Sequence, residues 1–128
     1  MPLHAIERQI TFLYTQKLAE TADFYEHLLQ LRLVLDQGDC RIYETSPQSY
    51  VGFCKRVQSE GESRDGVILT LVTAEVDAWY QSLIAQGVIF EHPPVLNPKY
   101  QIYHCFLRDP NGYRIEIQQF IQPFDAQE

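Results

Sequence analysis

Toward the end of the chain, two strand-like runs, YQIYHCFLR and YRIEIQQF, flank the turn Asp109-Pro110-Asn111-Gly112. An Asn-Gly pair in that setting reads as a type I turn with Gly112 left-handed in a bulge, which sets Asp109 opposite Tyr113. Side chains alternate along a strand, so Phe106 then faces Glu116 and His104 faces Gln118 on one side of the sheet. Ile115 and Ile117 point the other way. A four-residue loop would instead turn His104 toward Ile117 and bring Cys105 beside Glu116. The bulged register is favoured because it gathers a carboxylate, an imidazole, an amide and an aromatic ring. Such a set can do two things. Glu116 can act as a base, and His104 as a general acid or base. Alternatively, the four residues can anchor and stack a small planar ligand. The plainer readings are a carboxylate paired with Arg114, Arg41 or water, and a hydrogen-bonded sheet histidine.

Further candidates lie in the first half. Alternation along ITFLYT turns Leu13 toward a helical layer and Phe12 and Tyr14 toward the open side. Arg41 and Tyr43 share one face of a strand whose other face carries Cys40 and Ile42, and they join Phe12 and Tyr14 as candidate ligand contacts. Which of those two faces is inward stays open. Tyr103 is a further tyrosine able to grip a planar ligand, although strand propensity alone also favours tyrosine. His4, His27 and His92 read as solvated. Cys40, Cys54 and Cys105 have no CxxC or zinc spacing and no basic neighbour that suggests a thiolate nucleophile. Three reduced, inert thiols in a cytoplasmic protein are the simplest reading.

The elements that must position these residues occur twice. ITFLYT (10–15) is strand-like. A helical pattern over 18–30 has Phe24 with Leu28 and Tyr25 with Leu29 on one face. LRLVLD, CRIYE and YVGFCKR follow, separated by Gln37-Gly38-Asp39 and Ser46-Pro47-Gln48-Ser49 turns. QSEGESRDG (58–66) reads as a linker. The order then returns: VILTLVT as a strand, Thr73 as an N-cap, and a helix over 74–86 with Val76, Trp79, Tyr80, Leu83 and Ile84 on one face. Gly87 sits at the helix C′ position. VIFEH reads as the next strand, PPVLNPK as a proline-broken loop, and the terminal hairpin closes the set. The four helix aromatics, Phe24, Tyr25, Trp79 and Tyr80, read as core. The expected fold is α+β, a single domain of two βαβββ modules (9–57 and 67–120) forming a curved, mostly antiparallel sheet with a concave cavity.

Length and composition agree with that picture. The chain has 128 residues, 45% hydrophobic and 21% charged, and a net charge of −7. These values suit one folded domain and exclude a disordered chain. The acidic balance and scattered basic residues exclude a nucleic-acid surface, which needs clustered Lys and Arg. No run approaches membrane-spanning length, and the opening MPLHAIERQ lacks a signal-peptide core.

Two stretches carry a family resemblance. Thr21-Ala-Asp-Phe24-Tyr25-Glu-His-Leu-Leu29 resembles the first-helix pattern of the vicinal oxygen chelate superfamily, which holds glyoxalases, extradiol dioxygenases and bleomycin-resistance proteins. Phe106-Leu-Arg-Asp109-Pro-Asn-Gly112-Tyr-Arg-Ile-Glu116-Ile is similar to its C-terminal hairpin. The resemblance spans about residues 9–120 and implies paired βαβββ modules and a homodimer. One departure is Gln30, where the family has a glycine ending the first helix. The resemblance also implies a divalent metal held by His, Gln or Glu on the first and last strands of each module. Its ligand positions fall here on Ile10 and Ile68, which have no lone pair to donate, and on Glu116, which fits. The remaining position lies within 46–57, where only Cys54 offers a donor. Gln9 could replace Ile10 only through a bulge, because a one-residue slip reverses the strand face. The expectation is therefore no metal and no cofactor.

Three functions follow as expectations. The first is a protein that binds a small aromatic or planar molecule in a cavity that has lost the family metal. The second is an enzyme of lyase, isomerase or dioxygenase type using Glu116, with or without a metal held through Gln9, His104 and Glu116. The third is a non-catalytic dimeric scaffold.

Overall fold

A computed structural model describes residues 3–57 and 64–122. Most of the expected 58–66 linker therefore lies outside the described residues. The chain divides into two compact units, Met1–Glu62 and Ser63–Glu128.

In the first module, β1 (Gln9–Thr15) precedes α1 (Leu18–Asp23), which runs directly into a π-helical turn, Phe24–Leu28. Strands β2 (Arg32–Asp36), β3 (Cys40–Ser46) and β4 (Ser49–Lys55) complete a sheet of order β1-β4-β3-β2. β1 runs parallel to β4, and the other pairings are antiparallel. The wider turn is closed by the Leu29 amide donating to the Phe24 carbonyl at 3.1 Å. Gln30 then takes φ 57°, so the helix does end in the left-handed way that favours glycine, with glutamine bearing the steric cost. On the helix side, the Tyr25 ring lies 4.4 Å from Phe53 and 6.1 Å from Tyr43, and Leu13, Val51 and Leu29 close around them. Beneath the helix start, the Thr15 and Thr21 hydroxyls meet at 3.0 Å. Burial of a polar pair is tolerated there because each hydroxyl has a partner.

The second module repeats the plan with β5 (Ile68–Val72), α2 (Val76–Ala85), β6 (Val95–Asn97), β7 (Ile102–Arg108) and β8 (Arg114–Phe120), in sheet order β5-β8-β7-β6. Again the first strand is parallel to the last. Val76 and Leu83 of α2 are buried, as are Cys105, Leu107, Ile115 and Ile117, which alternation puts on one face of the hairpin. Gly87, at φ 89°, ends α2 as expected, with the Val88 amide donating to the Leu83 carbonyl at 3.0 Å. Thr73 accepts the Glu75 amide at 3.0 Å just ahead of the helix. Trp79 and Tyr80 are only half-buried and Ile84 is exposed, so this helix buries a narrower stripe than its pattern promised.

One strand falls elsewhere than expected. VIFEH contributes a single bridge, Phe90 to Leu107, and the edge strand forms after the two prolines, where Val95–Asn97 pairs with Ile102–His104. Pro93 and Pro94 lack the amide hydrogens a ladder needs, so they separate the bridge from the strand proper. Each module thus owns a four-stranded mixed sheet with its helix on one face. The opposite face of each sheet is free of its own helix.

Candidate functional site

The Asp109–Tyr113 turn sets the register of the site. Gly112 stands at φ 88°, and its amide donates to the Asp109 carbonyl at 3.0 Å. The Asp109 amide donates to the Tyr113 carbonyl at 2.9 Å, and the Asp109 carboxylate accepts the Asn111 and Tyr113 amides, each at 2.9 Å. The pairing is the bulged one: His104 with Gln118 and Phe106 with Glu116. These four side chains share the face away from α2.

Glu116 is buried at the centre of that face and accepts hydrogen bonds from three directions. Thr70 on β5 donates its hydroxyl to Oε1 at 2.9 Å. Gln118 donates from Nε2 to Oε2 at 2.9 Å, and His104 Nδ1 lies 2.7 Å from the same oxygen. Neither Arg114 nor Arg41 is its partner. Arg114 instead makes two bonds to Glu91, at 3.2 and 3.0 Å, and lays its guanidinium 3.7 Å from the centre of the Phe106 ring. Two further rings stand edge-on to one another and to Phe106. His104 is 5.1 Å and His92 5.8 Å from it, and the two imidazoles are 5.7 Å apart. His92 donates from Nδ1 to the Pro93 carbonyl at 2.7 Å.

Around this network lies a groove of about 600 Å³, floored by Glu116, Gln118, His104 and Phe106 and walled by Ile68, Ile102, Phe120, Asn97 and Tyr100. The Asn97 side chain accepts the Lys99 and Tyr100 amides at 3.0 and 3.3 Å, which fixes the Tyr100 end of the groove. Apolar walls around a few convergent polar atoms suit a small molecule.

Not every expected contact belongs to an open face. Phe12 and Tyr14 are on the open face of the first module, 49% and 44% exposed, with Arg56 4.6 Å over the Tyr14 ring. Phe12 lies across Gly52, where a β-carbon would sit 2.6 Å from its ring, so any larger residue there would have to push the ring aside. Arg41 and Tyr43 are corrected. Both lie on the helix side. Tyr43 is fully buried against Tyr25 and donates to Glu26 at 2.8 Å, and burial and that bond push its hydroxyl pKa upward. Arg41 faces Glu26 at 3.9 Å and Asp36 at 3.6 Å. Tyr103 also points to the helix layer, where it donates to Asp77 at 2.5 Å and has its pKa raised by that bond. His92, read as solvated, is instead half-buried against the site. Alternation from Ile68 to Thr70 and from Gln118 to Phe120 was the signal for two residues the sequence reasoning passed over. His92 had no such signal, because its place depends on the bridge at Phe90.

The cysteines differ from expectation as well. Cys40 and Cys54 face one another across β3 and β4 and are joined by a disulfide. Only Cys105 is free, buried on the helix side, where burial first and then the charges of Asp77 and Glu116 push its thiol up to about 11.

The residues do not fit the metal site that the sequence resemblance implies. Ile10 and Ile68 offer no donor. β1 pairs with β4 without a bulge from Gln9 to Thr15, and Gln9 donates to Thr11 on its own face, so it does not replace Ile10. Cys54 is held in the disulfide, and both Glu116 oxygens are engaged. Among the described residues, no three His, Cys, Asp or Glu side chains gather as an ion would require.

Residues 4–117 match the model of the Glyoxalase/Bleomycin resistance protein/Dioxygenase superfamily. Among curated proteins, none matches significantly. Several solved structures share the fold. A lactoylglutathione lyase from Agrobacterium tumefaciens is 21% identical, with 93% of this chain and 96% of that one covered and a TM-score of 0.74. A glyoxalase/bleomycin resistance protein/dioxygenase from Nocardioides is 17% identical, with 100% and 91% covered and a TM-score of 0.75. TioX from Micromonospora sp. ML1 is 16% identical, with 89% and 98% covered and a TM-score of 0.73.

Proposed function

The chain belongs to the Glyoxalase/Bleomycin resistance protein/Dioxygenase superfamily, and within it we propose that this protein binds a small planar or aromatic molecule without the family's metal. The ligand lies in the groove of the second module, over Phe106 and between Ile68 and Phe120. One observation carries the reading: the glutamate at the family's ligand position is saturated by Thr70, Gln118 and His104 at the floor of a largely apolar groove. A carboxylate so engaged anchors its neighbours, and coordinating an ion would first break bonds that are costly to leave unmade. A catalytic metal also needs about three protein ligands, and the matched positions supply one.

The test has two arms on the purified protein. Calorimetry with manganese, nickel, cobalt and ferrous ions is expected to show no stoichiometric binding. A thermal-shift screen of planar aromatic compounds is expected to raise the melting temperature for some of them. Tight binding of one ion per chain that Glu116→Gln abolishes would overturn the reading, as would a screen in which no compound stabilises the fold.

A further inference from the structure

We infer that the groove selects planar ligands that present an N–H or O–H donor on one edge, and that His104 Nε2 is the acceptor that reads it. The inference rests on the groove reading above and names the chemistry it recognises.

The argument turns on which ring nitrogen carries the hydrogen. The Glu116 carboxylate already accepts from Thr70 and Gln118, and it faces His104 Nδ1 at 2.7 Å. An ionised carboxylate can only accept, so Nδ1 must be the protonated nitrogen, and in a neutral imidazole the lone pair then lies on Nε2. His92 repeats the arrangement, because its Nδ1 faces a carbonyl oxygen at 2.7 Å and must also donate. Neither Nε2 hydrogen-bonds a described residue. Among the described residues, the one sealed side-chain nitrogen or oxygen without a hydrogen-bond partner is Arg41 Nε, so His104 Nε2 is not sealed, and His104 lines the groove. With the imidazole neutral, the groove floor therefore shows an acceptor beside the Phe106 ring, 5.1 Å from the imidazole centre.

A ligand stacked there satisfies Nε2 only with a donor. One with a carbonyl or ether at that edge leaves Nε2 and its own oxygen unpaired, and that mismatch is where such sites discriminate most. Glu116 is the positioning residue: it acts on the preference through His104 Nδ1, whose hydrogen it accepts.

Indole and 1-methylindole form the test pair, since they share a ring system and differ in the N–H. Protein-observed NMR titrations of the full chain at pH 8, where imidazole is ordinarily neutral, are expected to show indole binding about tenfold tighter. The extra methyl group favours 1-methylindole by apolar area, so the preference runs against hydrophobicity. His104→Phe is expected to keep binding and erase the preference. Glu116→Gln, which can donate to Nδ1 as well as accept from it, is expected to shrink the preference too. Equal affinities in the natural protein, or a tenfold preference that survives both variants, would overturn the inference and leave the groove standing. If neither probe binds, the groove reading fails and the inference with it.

Discussion

At the scale of single residues, the groove depends on hydrogen bonds that commit one nitrogen of the His104 ring and leave the other uncommitted. His104 Nδ1 faces a carboxylate that also accepts from Thr70 and Gln118, which leaves Nε2 as the ring nitrogen turned to the groove. Cys105 lies on the other side of the same strand. Its thiol is raised from 9.0 to about 11 in the fold, so the folded protein holds that proton over a range where the unfolded chain releases it. Stability from this group is complete below pH 9 and falls as pH rises through about 11. Urea midpoints are expected to drop across that window and to drop less in Cys105→Ala. An unchanged slope in the variant would show that the thiol is not the group responsible. The residue pattern also shows what the sequence could carry. An Asn-Gly turn has few ways to form, so the placement of His104, Phe106, Glu116 and Gln118 was legible from the register it imposes. Arg41 and Tyr43 were not, because CRIYE alternates without a clearly polar face. Only the packing of Tyr43 on Tyr25 and Phe53 decides which side is inward.

At the scale of elements, the two modules repeat one plan with different side chains at matching positions. In the ladders, Gly52 beside Phe12 and Ile42 corresponds to Glu116 beside Thr70 and Phe106. The Cys40–Cys54 pair corresponds to His104 and Gln118. Where one module carries a polar network, the other carries an aromatic ring and a cross-link. Cys40 and Cys54 lie 14 residues apart, and closing a loop of that size stabilises by about 3 kcal/mol. In denaturant without reductant, one thiol per chain is expected to react with Ellman's reagent, and three would refute the disulfide. The pairing was hidden in the sequence because an odd cysteine count and the absence of a motif pointed to free thiols. Strand register alone brings the two together. The first helix ends on a left-handed glutamine, Gln30, whose β-carbon is strained there. Gln30→Gly is expected to raise unfolding stability by about 1 kcal/mol, less the extra freedom glycine brings to the unfolded chain. A loss of stability would show that the glutamine side chain makes a contact worth more than the strain. The misplaced edge strand has a similar lesson. VIFEH has strand composition, but composition does not reveal that two prolines postpone the pairing to Val95.

At the scale of the whole molecule, the repeated plan was legible because hydrophobic period, turn residues and helix aromatics all recur in the same order. No described helix is long and apolar enough to cross a membrane. The family resemblance supports a homodimer, and the exposed Val95 and Leu96 on the edge strand β6 are apolar groups a second copy would cover. Light scattering at micromolar concentration is expected to report twice the 15.0 kDa chain mass, and the single-chain mass would contradict that assembly. The central claim, a planar ligand held over the Glu116–His104 network without a metal, is tested most directly by mapping where a ligand binds. Amide spectra of the labelled protein, recorded with a chelator and a planar compound that raises its melting temperature, should shift at Ile68, Thr70, Phe106, Glu116 and Gln118. Shifts confined to other strands, or binding that appears only when a divalent ion is restored, would contradict the account.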